Sequence, residues 1–241
     1  MNKKISLTMN QLKLLAMIIM LIDHFAFVML ERGVGLGGNL YMIDRVMRGI
    51  GRCAFPIFCF SIVEGFQRSR NVKAYLKRLV LFALVSEIPF DIAFRGRLFD
   101  MSYQNVFWTL AFGLAALMIY ENPWMGGWKK AFGLLACFWL PNYFHTDYSV
   151  YGVLTIFVMY YFRKEPIKAC MAGYIVLLLL STTEIWAIFG FLLILLYNGR
   201  RGQGNKFLYY WFYPGHIILL ALAKPYIVSI LSSFISKTML V

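Results

Sequence analysis

The residues best equipped for chemistry sit where an apolar chain has least use for them. Asp23 and His24 interrupt the run from Leu12 to Leu30. An ionisable group inside such a stretch is costly in lipid, so it is expected to face a bundle interior or a wet cavity. Histidine suits general-base work because its unperturbed pKa, about 6.5, lies near working pH. Arg45, Arg48 and Arg52 follow at spacings of three and four residues, which places them on one helical stripe. Their guanidiniums must meet carboxylates, a polar cavity or a substrate. Glu87 and Asp91 are four apart and share a face, while Asn105 and Asp147 stand at or near the ends of later apolar stretches. This set contains a base, several cations able to steady a developing negative charge, and carboxylates able to orient either. Ion pairing accounts for Glu87 and Asp91 as readily as a direct role does. Neighbouring helical residues point about 100° apart. Asp23 is therefore expected to anchor Arg48 or Arg52, and a carboxylate from another helix, Glu87, Asp91 or Asp147, to orient His24.

The elements that position these groups follow from composition. The chain is 61% hydrophobic and 15% charged over 241 residues, well above the apolar share of a soluble domain. The pattern predicts an all-α, polytopic membrane protein with one domain over 1–241. Spans are expected near 11–30, 43–66, 74–94, 104–120, 129–144, 150–162, 167–180, 184–198 and 208–234, with 129–144 also readable as a re-entrant segment. Basic residues favour cytoplasmic loops. With the N-terminus inside and nine crossings, fifteen of the 24 basic residues, among them Lys3 and Lys4, fall in inner tails and loops. The outer loops and tail hold Arg32, Arg95, Arg97 and Lys237. Leaving out the 129–144 crossing would move two basic loops outside. Nine spans, N-terminus cytoplasmic and C-terminus outside, is the expected topology, in the cytoplasmic membrane and surrounded by lipid.

That topology accounts for the net charge of +13 without nucleic acid, which is not expected as a partner. The first span lacks a small-residue cleavage site and is expected to remain in the mature chain. Cys53, Cys59, Cys137 and Cys170 lack paired metal-ligand spacing, and three scattered histidines do not suggest zinc, so no metal is expected. No repeat of 20 to 50 residues is visible. That asymmetry weighs against a transporter.

A second candidate cluster lies on the basic side. Arg70, Asn71, Lys73, Lys77 and Arg78 are suited to gripping the phosphates of a cytosolic cofactor, although charge topology alone also explains them. Glu64 ends the second span on the same side. His216 is expected nearer the inner face, either helping cofactor entry or simply packing. Trp124, Trp128, Tyr209, Tyr210 and Trp211 read as an interfacial belt.

Taken in order, Leu21-Ile22-Asp23-His24, Gly51-Arg52-Cys53-Ala54-Phe55-Pro56, Val63-Glu64-Gly65, Ser69-Arg70-Asn71, Tyr75-Leu76-Lys77-Arg78, Ser86-Glu87-Ile88-Pro89-Phe90-Asp91, Gln104-Asn105-Val106-Phe107-Trp108, Asp147-Tyr148 and Phe212-Tyr213-Pro214-Gly215-His216 resemble the TraX family. Phe25 follows the Asp-His pair where a smaller residue is expected. The resemblance implies an integral membrane acetyltransferase whose namesake modifies the N-terminal amine of pilin subunits. It also implies a distant relation to larger transmembrane acyltransferases that use an early-span histidine. Acetyl-CoA would enter from the basic side, held by Arg70, Lys73, Lys77 or Arg78. His24 would be the base, and Arg48, Arg52 or Asn105 would stabilise the oxyanion. The acceptor stays open between a peptide amine and a sugar or lipid hydroxyl, and oligomeric state is not legible. A transporter or flippase using the same buried ionisable residues, and a non-catalytic assembly factor, are the alternative readings.

Overall fold

The computed structural model describes residues 6–34 and 39–238. Lys3 and Lys4 lie outside them, and of the Lys206 and Lys237 side chains nothing is described. Among the described residues the chain is helical, with no strand beyond two isolated bridges.

Local sequence explains where the helices start and stop. Helix α1, Met9–Phe25, begins at a capping box in which Thr8 and Gln11 satisfy each other's backbone N–H groups. It runs directly into a π-helical segment, Ala26–Val34. Helices α2, Asn39–Gly51, and α3, Ala54–Arg68, are one expected span broken at Gly51-Arg52-Cys53. Pro56 falls in the first turn of α3, where its missing N–H breaks no ladder bond. Helix α4, Val72–Arg95, is capped by Asn71 and ends at Gly96, whose φ of 70° suits glycine. Asn105 caps α5, Val106–Tyr120. The rest of the chain is α6, Gly127–Tyr143; α7, Ser149–Tyr161; α8, Pro166–Leu180; a 3-10 turn at Thr182–Trp186; α9, Ala187–Leu195; and α10, Lys206–Thr238.

Helix α3 is the axis of the bundle. It packs against α1, α5, α7 and α9, and buries Phe55, Ile57, Cys59, Ile62 and Val63. Helices α4 and α10 close the bundle beside α5 and α1, and α6 lies outside α5 and α7.

The exterior is apolar and the interior holds the polar groups. On α4, Leu81, Leu84, Val85, Ile88 and Ile92 form an exposed stripe; on α6, Phe132, Leu135, Trp139 and Tyr143 form another. Glu87, Asp91, Asn105, Thr109, Glu184 and His216 are buried. Water would reject that arrangement, whereas a bilayer requires it. Three stretches, Met9–Val34, Leu40–Arg68 and Phe207–Ser233, are long and apolar enough to cross a membrane, and shorter apolar helices complete the set. This is a helical membrane protein.

Successive connections gather at alternate ends. At one end Arg68 donates to the Gly199 carbonyl, Tyr160 to Glu121, and the backbone at Leu7, Met9 and Asn10 is tied to 196–201. At the other, Gln104 pairs with the backbone around Thr146, and Arg52 reaches Glu184 and Tyr148. Each end carries its own cavity.

Candidate functional site

A cavity of about 270 Å³ lies at the end where α1 meets its π-helical continuation. Asp23, His24, Arg48, Arg52 and Asp147 line it, so five of the expected site residues converge there. His24 is held by another histidine. Its Nδ1 lies 2.7 Å from Nε2 of His216, and the rings stack 4.9 Å apart. His216 Nδ1 lies 2.6 Å from the Phe212 carbonyl, which can only accept, so this nitrogen carries the proton. In neutral His216, Nε2 is then an acceptor, and His24 Nδ1 must donate to it. The chain of bonds leaves His24 Nε2 with its lone pair free, 4.0 Å from the Asp23 carboxylate. That gap leaves the nitrogen open to a proton donor, and Asp23 stands ready as counter-ion to the imidazolium.

The carboxylate expected to orient His24 is therefore not its partner, and His216 is not a basic-side residue. Both differences have one cause. His216 lies 10 residues into α10, one long continuous helix whose packing against α4 and the π-helical segment sets its height beside His24. Asp23 instead accepts from Arg48 at 2.7 Å. Gly51 permits this: a Cβ there would fall on the Asp23 carboxylate. Arg52 donates to Glu184 at 3.2 Å and to the Tyr148 hydroxyl at 3.4 Å. Arg45, the first member of the arginine stripe, is exposed and does not line the cavity.

The opposite wall is a tight loop. Tyr103 donates to Asp147 at 2.7 Å, and Thr109 donates to the Asp147 carbonyl while accepting from the Thr146 hydroxyl at 2.9 Å. His145, Tyr148 and Ser149 all have left-handed backbone, with φ of 50°, 61° and 46°. Such strain persists only where the surroundings over-determine it, and here it aims Asp147 and Tyr148 at the cavity. Sequence reasoning missed Glu184 and Tyr103 as site residues. Glu184 had a signal, a lone carboxylate at the start of an apolar stretch; Tyr103 is one tyrosine among fifteen.

Glu87, Asp91 and Asn105 lie behind the cavity rather than in its wall. Glu87 accepts from the Trp108 indole at 2.9 Å and from Asn105, which also caps α5. Asp91 accepts the Asp100 backbone N–H at 2.7 Å. These three tie α4, α5 and the 96–105 loop together.

A second cavity, about 290 Å³, opens at the other end. Lys13, Arg68, Arg78 and Arg201 line it, with Glu64, Tyr197, Tyr209 and Tyr210. Glu64 is engaged by Arg68 at 2.7 Å and by Tyr197 at 2.8 Å. Among the described residues no carboxylate pairs with Lys13, Arg78 or Arg201. Of the residues expected on the cofactor side, only Arg78 and Glu64 reach this wall. Arg70, Lys73 and Lys77 are exposed outside it, and Asn71 is spent capping α4. Lys13 and Arg201 stand in the wall beside Arg78, brought together because the backbone at Met9 and Asn10 bonds the carbonyls of Arg200 and Arg201. Tyr209 and Tyr210 turn into the cavity instead of joining an interfacial belt, whereas Trp124 and Trp128 are exposed.

The two cavities share Met20, Phe58, Val106 and Tyr213 in their walls. Tyr213 stands edge-on to both histidines, 5.9 Å from His24 and 5.8 Å from His216. A single layer of side chains separates a basic chamber from a chamber holding a base.

No solved structure matches the chain. A probable fimbrial assembly protein FimC, serogroup H1, of Dichelobacter nodosus is 32% identical over 259 residues, covering 94% of this chain and 100% of that relative. The model of the TraX protein family matches residues 8–224, which include the linings of both cavities, His24 and His216. The chain belongs to the TraX family.

Proposed function

We propose that this protein is a membrane-embedded acetyltransferase that takes an acetyl group from cytosolic acetyl-CoA and delivers it to an amine or hydroxyl acceptor at the other end of the bundle. The observation that carries the reading is the juxtaposition of the chambers: unpaired cations in one, the free lone pair of His24 in the other, and one layer of side chains between. In this reading the nine helical crossings place the N-terminus inside and the C-terminus outside the cytoplasmic membrane.

The donor set of the basic chamber fits a phosphorylated acyl carrier. Lys13, Arg78 and Arg201 offer charge-assisted bonds to phosphates, and Tyr209 and Tyr210 offer faces for a planar base. His24 Nε2 removes the proton from the acceptor nucleophile as that atom bonds to the thioester carbonyl carbon. Arg52 and Tyr148 point donors toward the same cavity, where they steady the charge on the carbonyl oxygen. When the carbon–sulfur bond breaks, the departing thiolate takes the proton from the imidazolium. Base, acid and charge stabiliser all come from this chain, and no covalent acyl-enzyme is needed.

The relative's name points to fimbrial assembly, and the family resemblance directs the acceptor search first to the N-terminal amine of a pilin-like peptide. The test is purified protein in nanodiscs with acetyl-CoA labelled in the acetyl group, offered peptide, sugar and lipid acceptors. Label transfer with release of the CoA thiol is expected. Absence of both acetyl-CoA binding and transfer to any acceptor overturns the reading, and coupled solute movement in liposomes would favour a carrier instead.

A further inference from the structure

The chamber around His24 holds more positive charge than its own carboxylates use. Arg32, Arg48, Arg52 and Arg95 line it, against Asp23 and Asp147. Arg48 is paired with Asp23, Arg52 with Glu184, and Asp147 accepts from Tyr103. Among the described residues neither Arg32 nor Arg95 has an ion pair. The acids closest in sequence to Arg95 are already engaged: Asp91 by the Asp100 backbone, and Asp100 by Ser102 and Arg97. Both free guanidiniums instead lie over rings, Arg32 over Phe27 at 5.3 Å and Arg95 over Tyr103 at 5.1 Å.

Those two rings are the ends of one row. Phe27 stacks on Phe94 at 5.0 Å, Phe94 on Phe90 at 4.7 Å, and Phe90 on Tyr103 at 6.1 Å, all within 23° of parallel. His24 meets the middle of the row, edge-on to Phe94 at 5.0 Å. The π-helical segment supplies one end. Its i→i+5 register brings residues five apart into line, so Arg32 comes to lie over Phe27, which an ordinary α-helix would not arrange. A guanidinium seated on a ring keeps its in-plane N–H donors free, and that fork fits a carboxylate or phosphate. Topology does not explain these arginines, since basic residues are disfavoured on the outer side to which the proposed crossings assign them.

We infer that the His24 chamber binds an acceptor that itself carries an anionic group, phosphate or carboxylate, held by Arg32 at one end of the row or Arg95 at the other while its amine or hydroxyl meets His24. This rests on the acetyltransferase reading for the word acceptor; the anion site stands on the arginines alone. The same chemistry is offered by an anionic lipid headgroup, so the experiment separates the two sources.

The protein in maltoside detergent is titrated with matched amines, phosphoethanolamine against ethanolamine and β-alanine against its amide, with thermal unfolding as the binding readout. The anionic member of each pair is expected to raise Tm and the neutral one to leave it unchanged. Label transfer from acetyl-CoA is expected to favour the anionic member by about tenfold or more in kcat/KM, in line with a charge-assisted contact. In Arg32→Gln/Arg95→Gln the ratio is expected to fall toward one, and in Arg32→Lys/Arg95→Lys to recover in part, which separates loss of charge from loss of fold. Equal Tm response to both members of each pair overturns the inference. An anionic preference in binding, with no label transferred to anything, upholds the anion site and removes the transferase reading. If the preference disappears in phosphatidylglycerol nanodiscs, the arginines hold a headgroup and the acceptor assignment is overturned.

Discussion

His24 and His216 share one proton line: 2.7 Å between ring nitrogens, ending 2.6 Å from the Phe212 carbonyl. The two residues come from opposite ends of the sequence, and their hydrogen bonds leave only one arrangement of protons when both rings are neutral.

His24→Ala is expected to lower acetyl transfer by about 10²- to 10⁴-fold, the usual contribution of a general base, while acetyl-CoA binding is retained. Full activity in this variant removes His24 from the mechanism.

His216 acts through His24, so its signature is a tautomer. Nitrogen-15 NMR of the histidine side chains is expected to show His24 protonated at Nδ1 in the native protein and mixed in His216→Phe, with a smaller loss of kcat, about 10- to 100-fold. An unchanged His24 spectrum in that variant contradicts the relay. This readout does not depend on knowing the acceptor.

Gly51→Ala is expected to destabilise the protein by about 1–3 kcal/mol, because the new methyl overlaps the Asp23 carboxylate and must push it from Arg48. Thermal unfolding measures the loss. Asp23→Asn keeps the space and weakens the pair, so it is expected to be milder in stability.

Lys13→Ala, Arg78→Ala and Arg201→Ala are each expected to weaken acetyl-CoA binding by about tenfold, more at low salt than at high. Lys73→Ala and Lys77→Ala, outside the cavity wall, are expected to leave the Kd unchanged. The reverse ranking would return the cofactor site to the first cytoplasmic loop.

The helices themselves were largely legible in the sequence. The expected span 74–94 is α4 at 72–95, and 129–144 is α6 at 127–143, since apolar run length and caps are local signals. Asp23 and Arg48 were also legible as partners, because each lies in an apolar span and needed an opposite charge. The heights of helices relative to one another were not. His216 was read as a basic-side residue because counting from the start of α10 says nothing of where a neighbouring helix stops. Tyr209 and Tyr210 read as interfacial-belt residues for the same reason: span position gives depth, and only packing gives the direction of a side chain. The make-up of the basic cavity is hidden from the sequence for a different reason. Basic residues close together in the sequence, such as Arg70, Lys73, Lys77 and Arg78, are easily noticed, whereas Lys13 and Arg201 become neighbours only through backbone bonds between the start of α1 and the loop after α9.

The wall formed by Met20, Phe58, Val106 and Tyr213 carries a further consequence for a protein sitting in an energised bilayer. In the proposed topology, water filling both chambers would conduct, so the membrane voltage would fall mainly across this one layer of side chains instead of across the full hydrocarbon thickness. A charge crossing it does nearly all the electrical work of crossing the membrane, about 2.3 kcal/mol per 100 mV. In the proposed transfer the acetyl leaves its bonding electron pair on the sulfur and a proton takes its place there, so donor and acceptor start and end neutral; no net charge crosses the layer, and the membrane voltage neither drives nor opposes the exchange.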